Sequence, residues 1–243
     1  MKAAIIDRLF DRAHIDHDAV LISEMTVANW SRRADVVLAN GSLWAFEVKS
    51  ELDSLSRLPG QLDAFTTHFE KVCVVCAPRF EVGARALLPE GVGLWVAEDD
   101  GSLRERIRPR QMKLSKAAAV SLMKATELRS LLSCNGFIGL SDLPRARLVE
   151  LALKLPSNDL ASAARDAVKR RHRPRHDAFV QNREHLGTMA SMWMLRREER
   201  RVPPQIAEAV PERASPLDGP DIPASHPLLV QAPGGPVLKR LMA

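Results

Sequence analysis

The chain contains no tyrosine, and phenylalanine and tryptophan bring its aromatic share to only 5%. No phenolic hydroxyl can therefore serve any site. Cysteine is scarce as well. There are three, an odd number, and the first fourteen residues, MKAAIIDRLFDRAH, carry acids inside their apolar stretch. Those acids break the pattern of a secretory signal. A disulfide framework is not expected, and the cytoplasm is the default compartment. Nor does the sequence hold a run of about 18 apolar residues, so no membrane-spanning helix and no membrane partner are expected.

What is present is a 243-residue chain with 46% hydrophobic residues, enough to bury a sizeable core. Its formal charge of +5 is unevenly spread. Residues 1–111 hold 14 Lys/Arg against 17 Asp/Glu, whereas residues 165–201 hold 11 against 5. A basic excess behind an acidic first half points to a polyanionic partner, with a solvated basic helix as the plainer reading.

The pattern along the chain places elements. Ala3, Ile6, Leu9, Phe10 and Ala13 have helical spacing. Residues 20–27, 34–39 and 43–49 read as strands, the last two joined by Asn40-Gly41, a hairpin signal. A helix is expected near residues 55–69, with Pro59 in its first turn and Asp53 as its cap. KVCVVCAP, from Lys71, is a buried strand, residues 80–88 a helix, and residues 92–98 a further strand. LRERIRPR, from Leu103, closes this unit as a basic segment. From Ser115 only helical periodicity remains, broken at Asn135-Gly136. RRHRPRH (170–176) reads as basic punctuation before another helix over 178–201. Three regions follow: an α/β domain over 1–111, a basic helical region over 112–201, and a flexible Pro-rich tail over 202–243.

Chemistry concentrates in FEVKSE, from Phe46. Alternation puts Trp44, Phe46 and Val48 on one face of their strand and Leu43, Ala45, Glu47 and Lys49 on the other. The Asn40-Gly41 turn brings Asp35, on the preceding strand, close to Glu47 and Lys49. Two carboxylates on adjacent strands can hold a hard cation such as Mg²⁺ or Mn²⁺, with the Val48 carbonyl as a further oxygen. Lys49 could then position an attacking water and offset phosphate charge. A plain inter-strand ion pair is the other reading of these residues.

Asp35 followed by Glu47-Val48-Lys49, on adjacent strands behind an N-terminal helix, resembles the PD-(D/E)XK, or restriction-endonuclease-like, nuclease superfamily. Gln61 in RLPGQLDAF and Glu24 in ISEM also match positions common in it, and the run FEVKSELDSLSRLPGQLDAF looks like a bacterial branch. The resemblance covers about residues 1–110. It implies an α/β restriction-endonuclease-like core, a central mixed sheet flanked by helices, followed here by an α-helical C-terminal region. It also implies metal-dependent phosphodiester hydrolysis, with DNA as the expected substrate. Asp35, Glu47 and the Val48 carbonyl would hold Mg²⁺ or Mn²⁺, Lys49 would serve catalysis, Glu24 would support a metal or its water, and Gln61 would orient the site. One departure is visible. Many relatives carry Gln-x-x-x-Tyr on the helix, and this chain has Phe65. A nuclease-fold protein that binds DNA without cleaving it is the alternative.

Other signals are weaker. Cys73 and Cys76 form C-x-x-C inside an apolar strand and read as buried cysteines. His14 and His17 read as a polar turn. Arg32 and Arg33 touch phosphate or are merely solvated. Residues 127–155 look like a SAP or helix-extension-helix module, or a plain helical hairpin, with Leu128, Leu131 and Leu132 packing on Leu148, Leu151 and Leu153. Arg145, Arg147 and Lys154 would meet phosphate there, and Lys169, Arg170, Arg171 and Arg173 would extend that surface. His172 and His176 would join it, because Pro174 between them argues against a helical pair.

Overall fold

The computed structural model of the chain describes residues 1–27, 32–196, 229–232 and 235–238. Residues 1–197 make one compact unit and residues 198–243 a second. In the second, strands β7 (Leu229–Ala232) and β8 (Gly235–Leu238) pair antiparallel as a short hairpin. The rest of the expected tail over 202–243 lies outside the described residues.

The first unit begins with α1 (Lys2–Asp11), then β1 (Val20–Val27), β2 (Arg32–Asn40) and β3 (Ser42–Lys49). Next come α2 (Leu58–His68), β4 (Lys71–Cys76), α3 (Glu81–Leu87), β5 (Gly93–Ala97) and β6 (Leu103–Ile107). Four helices complete it: α4 (Lys116–Ser121), α5 (Ala125–Cys134), α6 (Arg145–Ala152) and α7 (Ser157–Ser191). The fold class is α/β. Strands β1 to β6 form one mixed sheet in sequence order. β1, β2 and β3 run antiparallel, β4 and β5 continue parallel to β3, and β6 turns back.

Each strand boundary has a local cause. Gly41, at φ +63°, makes the tight turn between β2 and β3. Pro59 sits in the first turn of α2, where its missing N–H costs nothing. β6 is a strand the sequence reading missed. Its residues Arg104, Glu105 and Arg106 are exposed, so no buried face announced it. It is held by the Asp99–Gly101 turn and by pairing with β5, as a short charged edge strand.

The sheet buries both faces. Val20, Ile22, Val37, Ala39, Leu43, Ala45, Val72 and Val74 pack under Leu58, Leu62 and Phe65 of α2. That core runs on without a break into Leu128, Leu148, Leu160, Ala164 and Val168 of the C-terminal helices. The helical region after residue 111 therefore shares the first region's core. Leu21, Val36, Leu38, Trp44, Phe46, Val75 and Trp95 cover the opposite face, under Ile5, Ile6 and Leu9 of α1 and Phe179 of α7.

α7 thus serves both faces, passing the free edge of β1 on the way. RRHRPRH is not a break between helices. The chain stays helical through Pro174, and non-helical dihedrals come only at Gly187 (φ 77°, ψ 167°). Pro174 and Arg170 are exposed, where water can take the carbonyl that Pro174 leaves unpaired. Both histidines lie on this helix. His176 is buried, and its Nδ1 accepts a hydrogen bond from the Leu21 N–H of β1 at 3.2 Å. It belongs to the interior and not to a phosphate-facing surface.

Candidate active site

Glu47 and Lys49 leave β3 on the α2 face, as alternation requires, and both are almost fully buried, at 3% and 2% exposure. Lys49 Nζ lies 2.9 Å from Glu47 Oε1 and donates to Gln61 Oε1 at 2.7 Å. Gln61 Nε2, from the first turns of α2, donates back to Glu47 Oε1 at 2.5 Å. The three side chains close a triangle. Glu47 Oε2 is left out of it, buried and with no hydrogen-bond partner among the described residues. Burial, with the Asp35 carboxylate as a second cause, lifts the Glu47 carboxyl to about 7.

Asp35 reaches this cluster because β2 and β3 part company there. Their ladder ends at Val36 and Phe46. Beyond it Asp35 Oδ2, not a backbone carbonyl, accepts the Val48 N–H at 2.9 Å. A second irregularity sits at the same level. On β1, Val20 and Ile22 share a face with Met25 and Val27; on β2, Val37 and Ala39 share it with Ala34. The period of two therefore slips by one at Glu24 and again at Asp35, residues that the β1–β2 register sets opposite one another. Glu24 carries the slip in its backbone, with φ at +59°. A left-handed conformation on a glutamate inside a strand is strained, by about 1–3 kcal/mol, and such strain gathers at functional positions.

A cation the sequence reading overlooked joins the two acids. Lys2 Nζ lies 3.0 Å from Glu24 Oε1 and 2.8 Å from Asp35 Oδ1. A signal was there: Lys2 lies four and seven residues before Ile6 and Leu9, on the buried face of α1. Arg33 Nη1 holds Glu24 Oε2 at 2.9 Å. These cations hold the Glu24 carboxyl below its usual range against the opposing effect of burial, which is the largest single influence.

The cluster opens into a cleft of about 950 Å³. Lys2, Arg32, Arg33 and Arg57 line it beside Asp35, Glu47, Lys49 and Gln61, and the loop after β3 forms one wall. That loop is stiff. Asp53 Oδ2 accepts from the Ser50 N–H at 2.8 Å and from its hydroxyl at 2.5 Å. Asp53 thus closes the loop and does not cap α2, whose N-cap is Arg57.

The donor set fits a hard divalent cation in kind. Asp35 and Glu47 offer carboxylate oxygens, Glu47 Oε2 is open, and no thiol or imidazole belongs to the cluster. No group of three His, Cys, Asp or Glu side chains suited to a metal occurs among the described residues, so further ligands would be water, backbone or substrate. Cys73 and Cys76 are free and buried.

The expected phosphate-binding residues divide. Arg145, Arg147, Lys154 and Arg170 are exposed. Lys169, Arg171 and Arg173 turn inward. Lys169 pairs with Asp18. Arg171 binds Glu127 through Nε at 3.1 Å and Nη2 at 2.9 Å, and donates to the Leu122 carbonyl. Arg173 donates to the carbonyls of His17, Asp18 and Ala19. These three clamp α7 to α5 and to the loop before β1. α5 and α6 do pack as a helical pair across residues 135–144, through Leu128, Leu132 and Leu148. Leu153, expected to pack there, is 37% exposed.

Comparison with known proteins places the chain. The family model of bacteriophage P4 protein cII matches residues 1–196. The chain belongs to the P4 cII family. Protein cII of Enterobacteria phage P4 itself is 39% identical over 185 residues, 74% of this chain and 69% of that protein. The cII match spans the whole sheet and all seven helices, including the Lys2, Glu24, Asp35, Glu47, Lys49 and Gln61 cluster. No solved structure matches the chain. Among the described residues, no helix is long and apolar enough to cross a membrane.

Proposed function

We propose that the chain is a metal-dependent nuclease that hydrolyses phosphodiester bonds, with DNA as its substrate. The observation that carries this reading is the buried Glu47–Lys49–Gln61 triangle beside Asp35. A buried ion pair is a poor source of stability, because desolvating both charges offsets much of their attraction. Four polar groups converging on a cationic cleft are better accounted for by chemistry. The order of elements from α1 to β4, with this cluster where β2 and β3 diverge, supports a restriction-endonuclease-like core.

In this reading Asp35, Glu47 and the Val48 carbonyl would hold Mg²⁺ or Mn²⁺, which supplies charge neutralisation at the phosphate and a more acidic water. Lys49, fixed by Glu47 and Gln61, would donate to the attacking water or the phosphate oxygen. Glu47 must give up its proton before it can act as a ligand, so burial that lifts its carboxyl favours activity on the alkaline side. Arg32, Arg33 and Arg57 would contact the phosphates on either side. Arg145, Arg147, Lys154 and Arg170 would add salt-sensitive, sequence-independent contacts.

Incubation of the purified chain with plasmid, linear and single-stranded DNA, with Mg²⁺ or Mn²⁺, tests the reading. Glu47→Gln and Lys49→Met should each lower cleavage by about 100-fold or more. Cleavage at the wild-type rate by either variant would sink the site assignment. Phe65 favours a second reading, a binding protein without cleavage. It is fully buried against Phe69, so this helix position supplies packing and no hydroxyl. That reading expects salt-sensitive DNA binding and no cleavage with either metal.

A further inference from the structure

Among the described residues, cations that meet the acids Glu24 and Asp35 include Lys2, Arg33 and, at 3.7 Å from Glu24 Oε1, Arg196. Of these three, Lys2 alone touches both acids. Its ammonium stands between one oxygen of each, as a cation shared by two carboxylates would. The strand is strained at Glu24 and the period slips at Asp35, so the backbone is shaped to bring these two oxygens together. Two acids alone do not make a site. The independent sign is Glu47, which lines the same cleft with a buried carboxylate oxygen lacking any partner among the described residues. Lys49 engages only the Oε1 oxygen of Glu47, so one buried carboxylate oxygen beside Asp35 is unclaimed, while Glu24 and Asp35 share a monovalent cation on a flexible stem. Lys2 is 23% exposed, so its stem can withdraw along the cleft without unfolding α1.

We infer that Lys2 is the resident counter-ion of the Glu24–Asp35 pair, and that a divalent cation entering the cleft displaces it. The inference rests on the metal-dependent reading above, but not on cleavage. The first turn of α1 then sets how much free metal the site requires. A divalent ion brings twice the charge and accepts several oxygens, whereas the ammonium holds one oxygen of each acid.

The test measures Mn²⁺ binding to the full chain without nucleic acid, by loss of the free-ion electron paramagnetic resonance signal. Lys2→Met should bind about tenfold more tightly than wild type, the equivalent of losing one favourable competing ion pair. Arg33→Gln, which frees only the outer oxygen of Glu24, should gain less. The second readout is acylation of the Lys2 amine in the wild-type chain, followed by mass spectrometry. Saturating Mn²⁺ should speed it several-fold, and this arm stands even if Lys2→Met folds poorly. Equal or weaker Mn²⁺ binding by Lys2→Met, an equal gain in Arg33→Gln, no Mn²⁺ binding by either chain, or an acylation rate indifferent to Mn²⁺ overturns the inference. A chain that shows the displacement but cleaves no DNA keeps it and loses the nuclease reading. A chain that cleaves while Lys2→Met binds Mn²⁺ no better does the reverse.

Discussion

Glu47 shows how one buried carboxyl can oppose the fold it sits in. Its folded value of about 7 lies above the ordinary 4.5, because burial and then Asp35 disfavour its charge. The folded chain therefore holds a proton there that the unfolded chain releases. The stabilising contribution is fully present below about pH 4.5 and is lost as pH rises through about 7. Glu47→Gln cannot ionise. Urea denaturation from about pH 5 to about pH 8 should show the wild type losing about 2–3 kcal/mol relative to this variant. Asp35→Asn removes the second cause, so carbon-detected NMR should find the Glu47 midpoint below about 7. A midpoint that stays put would mean that Asp35 does not act on Glu47. At this scale much was legible in the sequence. Side-chain alternation along β3 separates Glu47 and Lys49 from Trp44 and Phe46, and the Asn40-Gly41 turn brings Asp35 near. Lys2 was missed as a partner: its spacing to Ile6 and Leu9 puts it on the buried face of α1, but a lysine at the start of an amphipathic helix reads as its wet end. Nor was the slip at Glu24, since alternation is what made β1 readable at all.

Among the elements, α7 departs furthest from what its sequence suggests. Pro174 and the surrounding arginines resemble an interruption, yet two of them, Arg171 and Arg173, find fixed acceptors inside the unit. Side-chain charge alone does not tell a solvated cation from one that binds carbonyls of another element. Arg173 is the clearest case, with three donated bonds to the carbonyls of residues 17–19 at 2.7–3.2 Å. Arg173→Ala should cost about 2 kcal/mol in urea denaturation. It should leave the salt dependence of any DNA binding unchanged, since this guanidinium faces inward. Arg170, exposed on the same helix, should behave oppositely. β6 failed to register for a related reason: an edge strand with an exposed, charged middle lacks the apolar alternation by which strands are read.

The molecule as a whole was harder to read than its parts. A change of texture near residue 112 suggested a boundary, because strands stop and helices take over there. The packing ignores it. Leu114, Ala118, Leu128, Leu160, Ala164 and Val168 join the core that covers the α2 face of the sheet. A fragment of residues 1–111 should therefore lack a cooperative thermal transition and expose apolar surface to a hydrophobic dye. A fragment of residues 1–196, the span matched by the cII family, should melt as one unit. A cooperative 1–111 fragment would show that the C-terminal helices are an addition and not part of the core. Periodicity tells which residues are inside, but not which elements share that inside.

His176 has a consequence beyond the stability of α7. β1 is the outer strand of the sheet, and His176 takes up the Leu21 N–H on its free side while Arg173 takes the Ala19 carbonyl. Burial, with Arg173 as the next cause, keeps the His176 pKa below its usual 6.5, so Nδ1 stays open to accept as conditions become mildly acidic. Below its folded pKa that acceptor is lost, and the Leu21 N–H loses its partner on the outer side of β1. The same imidazole that fastens a helix therefore also blunts the sheet's outer edge, by occupying an N–H that another chain's strand could otherwise take.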